Sequence, residues 1–339
     1  MRSLTSLREP RTTDAPTTDS TGRATGNRAK ENGVASAYLA TGPGPGPGPE
    51  PPPHHAGEPR GRPGSAAGAG DTAGEPYEAE RSRPAQGLAD RPVALITGAS
   101  SGIGAAVAAR FAADERGWRL LLHGRDRERL GRLAARTGGS AVSADLADPA
   151  AVRRLSRAVL QDDGHVDVLI ASAGVGWSGP FVSMPHEAID EVLSVDFAAL
   201  VHLVRAVLPG MVERGGGQLV LIGSIAGAVG VRDEAVYSAA KSALGVFADS
   251  LRYELRGTGV HVCLVVPGIV DTPFFARRGT LRPTKVRAVS PARVADEVWR
   301  AVARGRRRQE IFIPRWLRLP ARLYGAAPGL FRRLAGRFG

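Results

Sequence analysis

The chain is 339 residues long with 43% hydrophobic residues, enough for a sizeable core in one large or two ordinary domains. A single cysteine, Cys263, excludes an internal disulfide and fits a reducing compartment. The net charge of +12 points first to nucleic acid or membrane surfaces. However, ten arginines from Arg304 onward face one acid, Glu310, so nine of the twelve excess charges lie in the tail and the body is nearly neutral.

No uninterrupted apolar run approaches the roughly 18 residues of a bilayer span. The N-terminus carries arginines but no apolar stretch of the kind a secretory signal needs, so a cytoplasmic protein is expected. Residues 1–88 are dominated by Gly, Pro, Ala, Thr and charge, and include a Gly-Pro tract at 42–49. Such a segment cannot bury enough apolar area to offset its ordering entropy, and a disordered extension is expected. His54 and His55 within it are read as incidental, and no metal site is expected.

From residue 89 to 314, β-rich apolar runs alternate with helical patterns, the signature of βαβ units on a parallel sheet. Strands are expected at 93–97, 118–123, 141–144, 166–171, 218–223, 261–266 and 310–313. Helices are expected at 102–113, 127–136 and 149–160, the last with Pro149 in its opening turn. A long helix is expected within 185–211, with an apolar face through Ile189, Val192, Phe197, Leu200 and Val204. Two more follow at 236–256 and 291–303, the second capped by Ser290. The predicted architecture is α/β: a single doubly wound Rossmann-type domain with a parallel sheet of about seven strands. Residues 315–339 remain as a basic, aromatic tail.

The first strand runs into Thr97-Gly98-Ala99-Ser100-Ser101-Gly102-Ile103-Gly104 and then a helix. Gly98, Gly102 and Gly104 permit a tight turn and a close approach to a pyrophosphate, and the helix N-terminus supplies unpaired N–H groups. In this setting the turn reads as a dinucleotide site. The second strand ends at His123-Gly124-Arg125, where an NAD-preferring site would place a carboxylate. Arg125 is suited to a 2′-phosphate, so NADP(H) is expected, although Asp126 stands next to it and a small loop shift would present a carboxylate instead.

The chain has only three lysines, Lys30, Lys241 and Lys285, and writes Arg wherever a positive charge alone is needed. Lys241 follows Tyr237 by four residues, which places both on one face of a helix. A cation there lowers a phenol pKa toward working pH and makes Tyr237 a candidate general acid and base. Taken alone, the pair reads more readily as a helix-surface Tyr beside a solvated Lys, because the pattern is common by chance. Ser224 lies thirteen residues before Tyr237, at the end of a predicted strand.

With these features in order, residues 91–314 resemble the short-chain dehydrogenase/reductase family. The resemblance rests on the glycine turn, Asp145-Leu146 after the third strand, Ser224, Tyr237 with Lys241, and Pro267-Gly268-Ile269-Val270-Asp271-Thr272 after the sixth strand. It implies that Ser224 orients a substrate oxygen, that Tyr237 exchanges the hydroxyl proton during hydride transfer, and that Lys241 holds the nicotinamide ribose. It also implies that Asp145 and Leu146 meet the adenine edge, and that Pro267, Gly268, Val270 and Thr272 hold the carboxamide. A homodimer or homotetramer is expected on the same ground.

Two departures stand out. Where the family usually has Asn-Asn-Ala-Gly, this chain has Ala171-Ser172-Ala173-Gly174, and Ser172 can replace part of the lost hydrogen bonding. Where the family usually has an asparagine that holds a relay water, the chain has Asp196, read as accepting from that water and pairing with Lys241, which partly cancels the Tyr237 shift, or else as merely a half-buried polar residue.

The expected substrate is a small carbonyl or secondary alcohol. The segment 273–289 is read as a lid; with Phe274, Phe275, Arg277, Arg278, Arg282, Lys285 and Arg287 it suits an apolar or an acidic molecule, and Trp177 and Phe181 are read as the facing wall or as lid core. A ketoacyl-thioester reductase and a catalytically weak NADP-sensing protein remain as alternative functions. The tail mixes arginines with Trp316, Leu319 and Leu323, but Pro314, Pro320 and Pro328 interrupt it. Packing over the cleft or a neighbouring subunit is expected ahead of membrane-surface contact, and nucleic acid is not expected as a partner.

Overall fold

The computed structural model describes residues 91–279, 287–303 and 308–335. The extension 1–88 therefore lies outside the described residues, as do Arg282 and Lys285. Seven strands form one sheet: β1 Val93–Thr97, β2 Arg119–Gly124, β3 Ser140–Ser143, β4 Val168–Ala171, β5 Gly217–Ile222, β6 Val260–Pro267 and β7 Glu310–Ile313. Their spatial order is β3-β2-β1-β4-β5-β6-β7, and every pairing is parallel.

Parallel strands are covered on both faces, which is why β1 is apolar at successive positions rather than alternating with polar ones. Its Val93 and Leu95 enter one core and Ala94 and Ile96 the other. The first core is closed by α3 Pro149–Asp163, α5 Ala199–Glu213 and α7 Ala235–Glu254, through Leu155, Leu203 and Leu244 among others. The second is closed by α1 Gly102–Ala112, α2 Arg127–Thr137 and α9 Pro291–Ala303, through Phe111, Leu130 and Val298. Strand order reverses between β1 and β4, and a crevice opens there outside the C-terminal ends of the strands.

The long helix expected within 185–211 is instead α4 His186–Leu193, a single π-helical turn Ser194–Ala198, and α5. By length and composition, His186–Glu213 could cross a membrane. Its apolar face is spent on the sheet, however, with Val192, Leu200, Val204 and Met211 buried. The π turn inserts an extra residue and carries Asp196, which is buried. Such turns recur at functional sites because they re-aim a side chain.

Two four-residue helices remain: α6 Ile225–Ala228, between β5 and α7, and α8 Phe274–Arg277, after β6 in the lid segment. The two ends of that segment meet where Val289 N–H donates to the Ile269 carbonyl at 2.8 Å and Asp271 N–H to the Val289 carbonyl at 2.9 Å. In the tail, α10 Arg318–Ala326 and α11 Pro328–Ala335 are separate helices broken at Pro328. Tyr324 and Phe331 join them edge to face at 5.4 Å. Leu317 anchors the tail beside Gly268, while Trp316, Leu319 and Leu323 stay exposed.

Candidate active site

A cleft of about 490 Å³ lies over the sheet at the strand-order reversal. Its wall at β1 is the glycine turn. Gly98 has φ +69° and a Cβ there would lie 2.7 Å from the Ala173 Cα, so no other residue type keeps both the turn and the packing. Thr97 ties the turn to the next strand, its Oγ1 accepting from the Ser172 and Ala173 N–H groups at 3.1 Å each. At the 171–174 departure these two backbone N–H groups, donating to Thr97, hold the segment to β1.

Ser100, Ser101, Gly102 and Ile103 line the cleft with Gly98, as do Ser172, Ala173 and Gly174. Asp145 and Leu146 stand at the β3 side, and Pro267, Gly268, Val270 and Thr272 at the β6 side. Gly104 and Asp196 are outside the lining. Gly104 lies behind the turn against the Gly98 carbonyl, and Asp196 lies beneath Gly174.

At the end of β2, Arg125 and Asp126 both face the cleft. Asp126 is committed elsewhere: it caps α2 by accepting from the Arg129 N–H at 2.9 Å and pairs with the Arg129 guanidinium at 3.2 Å. Arg125 reaches Glu191 at 3.0 Å, with Asp145 at 4.0 Å. His123 forms part of the floor, its Nε2 meeting the Ala144 carbonyl at 3.1 Å. Burial pulls its pKa down to about 4, so the ring is neutral at physiological pH.

Three elements bring the reaction centre together. Ser224 caps α6, its Oγ accepting from the Ala226 N–H at 3.1 Å. Helix α6 rides so closely on α7 that a Cβ at Gly227 would lie 2.5 Å from the Lys241 carbonyl. Ser224 and Tyr237 thereby line the same cleft. Four residues along α7, the Lys241 ammonium sits 5.7 Å from the Tyr237 ring centre. The π turn then supplies Asp196, whose Oδ2 is 3.1 Å from Lys241 Nζ, with both side chains buried. Asp196 Oδ1 accepts from the Val175 N–H at 2.7 Å, and Lys241 also donates to the Ile222 carbonyl at 3.3 Å.

In this geometry the Asp196 carboxylate pairs directly with the lysine. Burial would lower the Lys241 pKa, but Asp196 and Tyr237 outweigh it and raise it above the ordinary lysine value. Burial raises the Tyr237 pKa; Lys241 and the Ser224 hydrogen bond pull it down, Asp196 pushes it further up, and the net direction is up. Burial likewise raises the Asp196 pKa against the opposing pull of Lys241 and the Val175 N–H. The lysine therefore keeps its charge, yet Asp196 cancels part of its effect on the phenol.

The lid helix α8 completes the cleft. Phe274 packs on Tyr237 with ring centres 5.6 Å apart and on Phe275 at 5.7 Å. Arg278 pairs with Glu234 at 2.6 Å and covers both phenylalanines. The expected facing wall does not form: Trp177 lies against Gly179, and Phe181 is 60% exposed; neither lines the cleft. Sequence reasoning passed over Arg129, His123 and Glu234, whose roles depend on contacts between distant segments.

A family model described as short chain dehydrogenase matches residues 92–281. The chain belongs to the short-chain dehydrogenase family. Dehydrogenase/reductase SDR family member 7B of Bos taurus is 32% identical over 262 residues, which are 71% of this chain and 79% of that protein. Among solved structures, a short-chain dehydrogenase from Sphingobium yanoikuyae in complex with NADPH is 35% identical with a TM-score of 0.63, covering 70% of this chain and 94% of the other. A short chain dehydrogenase/reductase from Burkholderia phymatum in complex with NAD is 26% identical, also with a TM-score of 0.63, covering 71% and 95%.

As a short-chain dehydrogenase, the chain is an oxidoreductase fitted to a nicotinamide cofactor, and its own glycine cradle and converging polar groups fit one. In this short-chain dehydrogenase, Gly98→Ala is expected to cost on the order of 1–3 kcal/mol from left-handed backbone strain alone and to weaken dinucleotide binding. Denaturant unfolding together with a cofactor titration would measure both; unchanged affinity would separate the turn from the cofactor site.

Proposed function

We propose that this chain is an NADP(H)-dependent reductase or dehydrogenase of an apolar carbonyl or secondary alcohol, with Tyr237 as proton donor and acceptor. The observation that carries this reading is the convergence of Ser224, Tyr237 and Lys241 on one cleft, with the lysine kept charged by Asp196. The cofactor, when bound, supplies or accepts the hydride. Ser224 donates to the substrate oxygen and orients it. Tyr237 passes its proton to that oxygen in reduction and removes it in oxidation. Lys241 stabilises the phenolate left behind and holds the nicotinamide ribose.

Preference for NADP(H) is supported by Arg125 in the cleft and by the use of Asp126 as a helix cap, which leaves the adjacent carboxylate occupied. An apolar substrate is supported by Phe274 and Phe275 beside Tyr237 and by Arg278, whose charge is already matched by Glu234. A screen of NADPH oxidation with steroid, acyl-thioester and short aliphatic ketones tests the reading. Turnover confined to acyl thioesters would redirect it to a ketoacyl-thioester reductase.

The raised Tyr237 pKa favours one further reading, a protein that binds NADP(H) and turns over poorly. Tight NADPH binding with no turnover across the screen would select it. Arg125→Ala is expected to weaken NADPH binding by about tenfold to a hundredfold, as loss of a charge-assisted contact does, and to leave NADH within about twofold. Equal losses for both cofactors would overturn the NADP(H) preference.

A further inference from the structure

Arg277 stands at the end of α8. Arg278 pairs with Glu234, Arg125 with Glu191, and Arg129 with Asp126. Among the described residues no carboxylate lies within 4.0 Å of Arg277. Its Nη1 instead donates to the Ser101 Oγ at 2.7 Å, bridging 176 residues from the lid to the glycine turn. Arg125, Arg129, Arg277 and Ser101 all line the cleft, and the glycine turn meets the end of β2 where Ser100 lies against Gly124.

Arg125, Arg129 and Arg277 are exposed at the cleft, where like charges oppose one another, screened by solvent, unless an anion joins them. Burial, then Arg125 and Arg129, lower the Arg277 pKa, which agrees with a guanidinium held near two others without its own counter-charge. A dianionic phosphate monoester offers several acceptor oxygens, and guanidinium forks match them two at a time. Arg125 at the end of β2 marks where the adenosine ribose 2′ position would lie.

We propose that Arg277 is a specificity-determining residue for the adenosine 2′-phosphate of the cofactor, closing from the lid onto the group that Arg125 meets from β2, with Ser101 holding the guanidinium in place. This rests on the NADP(H) reading above. It adds that one four-residue helix serves both ends of the cleft: Arg277 at the phosphate and Phe274 against Tyr237.

The test is direct binding, by calorimetry, of 2′,5′-ADP, 5′-AMP, NADPH and NADH to the full chain and to Arg277→Ala, Arg277→Lys and Arg125→Ala. Arg277→Ala is expected to weaken 2′,5′-ADP and NADPH by about tenfold to a hundredfold and to leave 5′-AMP and NADH within about twofold. Arg277→Lys should fall between, because it keeps the charge and loses the fork. If Arg277→Ala weakens 5′-AMP and 2′,5′-ADP equally, or leaves 2′,5′-ADP unchanged while Arg125→Ala weakens it, this proposal is overturned and the NADP(H) preference stands. If the wild-type chain binds 2′,5′-ADP no better than 5′-AMP, both fall. A matching far-ultraviolet spectrum and melting temperature for Arg277→Ala assign its loss to the contact rather than to folding.

Discussion

Replacing Tyr237 with Phe is expected to lower turnover by about a hundredfold to ten-thousandfold, the range lost when a positioned general acid is removed. Cofactor affinity should stay within about threefold, because the change removes one oxygen and keeps the ring against Phe274. The pH dependence follows from the raised Tyr237 pKa. Reduction needs the protonated phenol, so its rate should hold across neutral pH and fall only as pH rises through that raised value. Oxidation needs the phenolate and should climb over the same alkaline range. Steady-state rates in both directions, paired with a fluorescence titration of NADPH, would measure all of this. A variant that retains turnover within tenfold of wild type would remove Tyr237 from the proton transfer.

The strand and helix pattern was readable because parallel strands buried on both faces must be near-continuously apolar, as Val93–Ile96 and Val262–Val266 are. The glycine turn and the Tyr237–Lys241 spacing were readable for a related reason: each is a local requirement, met within eight residues of chain. Asp196 could be singled out from sequence, but its pairing could not. Its 3.1 Å approach to Lys241 depends on a π turn that interrupts the long helix expected within 185–211, with no Pro or Gly in Ser194–Ala198 to mark it. The lid was misjudged in part for the same reason. Its aromatic and basic composition was visible, but only the fold decides that Arg278 answers Glu234, that Arg277 answers Ser101, and that Trp177 turns onto Gly179 instead of facing the cleft.

The buried ion pair leads to the second large effect, on stability. Lys241→Met keeps the length and apolar stem of the side chain but leaves Asp196 in a buried site with only the Val175 N–H to answer it. Removing one partner of such a pair typically costs about 3–5 kcal/mol, because the remaining charge is uncompensated. The sign with pH is fixed by the carboxyl. Its folded pKa is already raised by burial, and without the lysine it rises further. A group with a raised folded pKa is fully tolerated below its unfolded pKa and loses stability as pH rises through the folded value. The variant should therefore be close to wild type near about pH 4 and progressively weaker toward about pH 8. Urea unfolding of both chains across that range, with cofactor absent, gives the difference directly. Adding Asp196→Leu to Lys241→Met should recover much of the loss at the alkaline end, since the unpaired charge is then gone. A loss independent of pH, or one that the second substitution deepens, would mean that packing around Lys241, not its charge, holds this part of the site together.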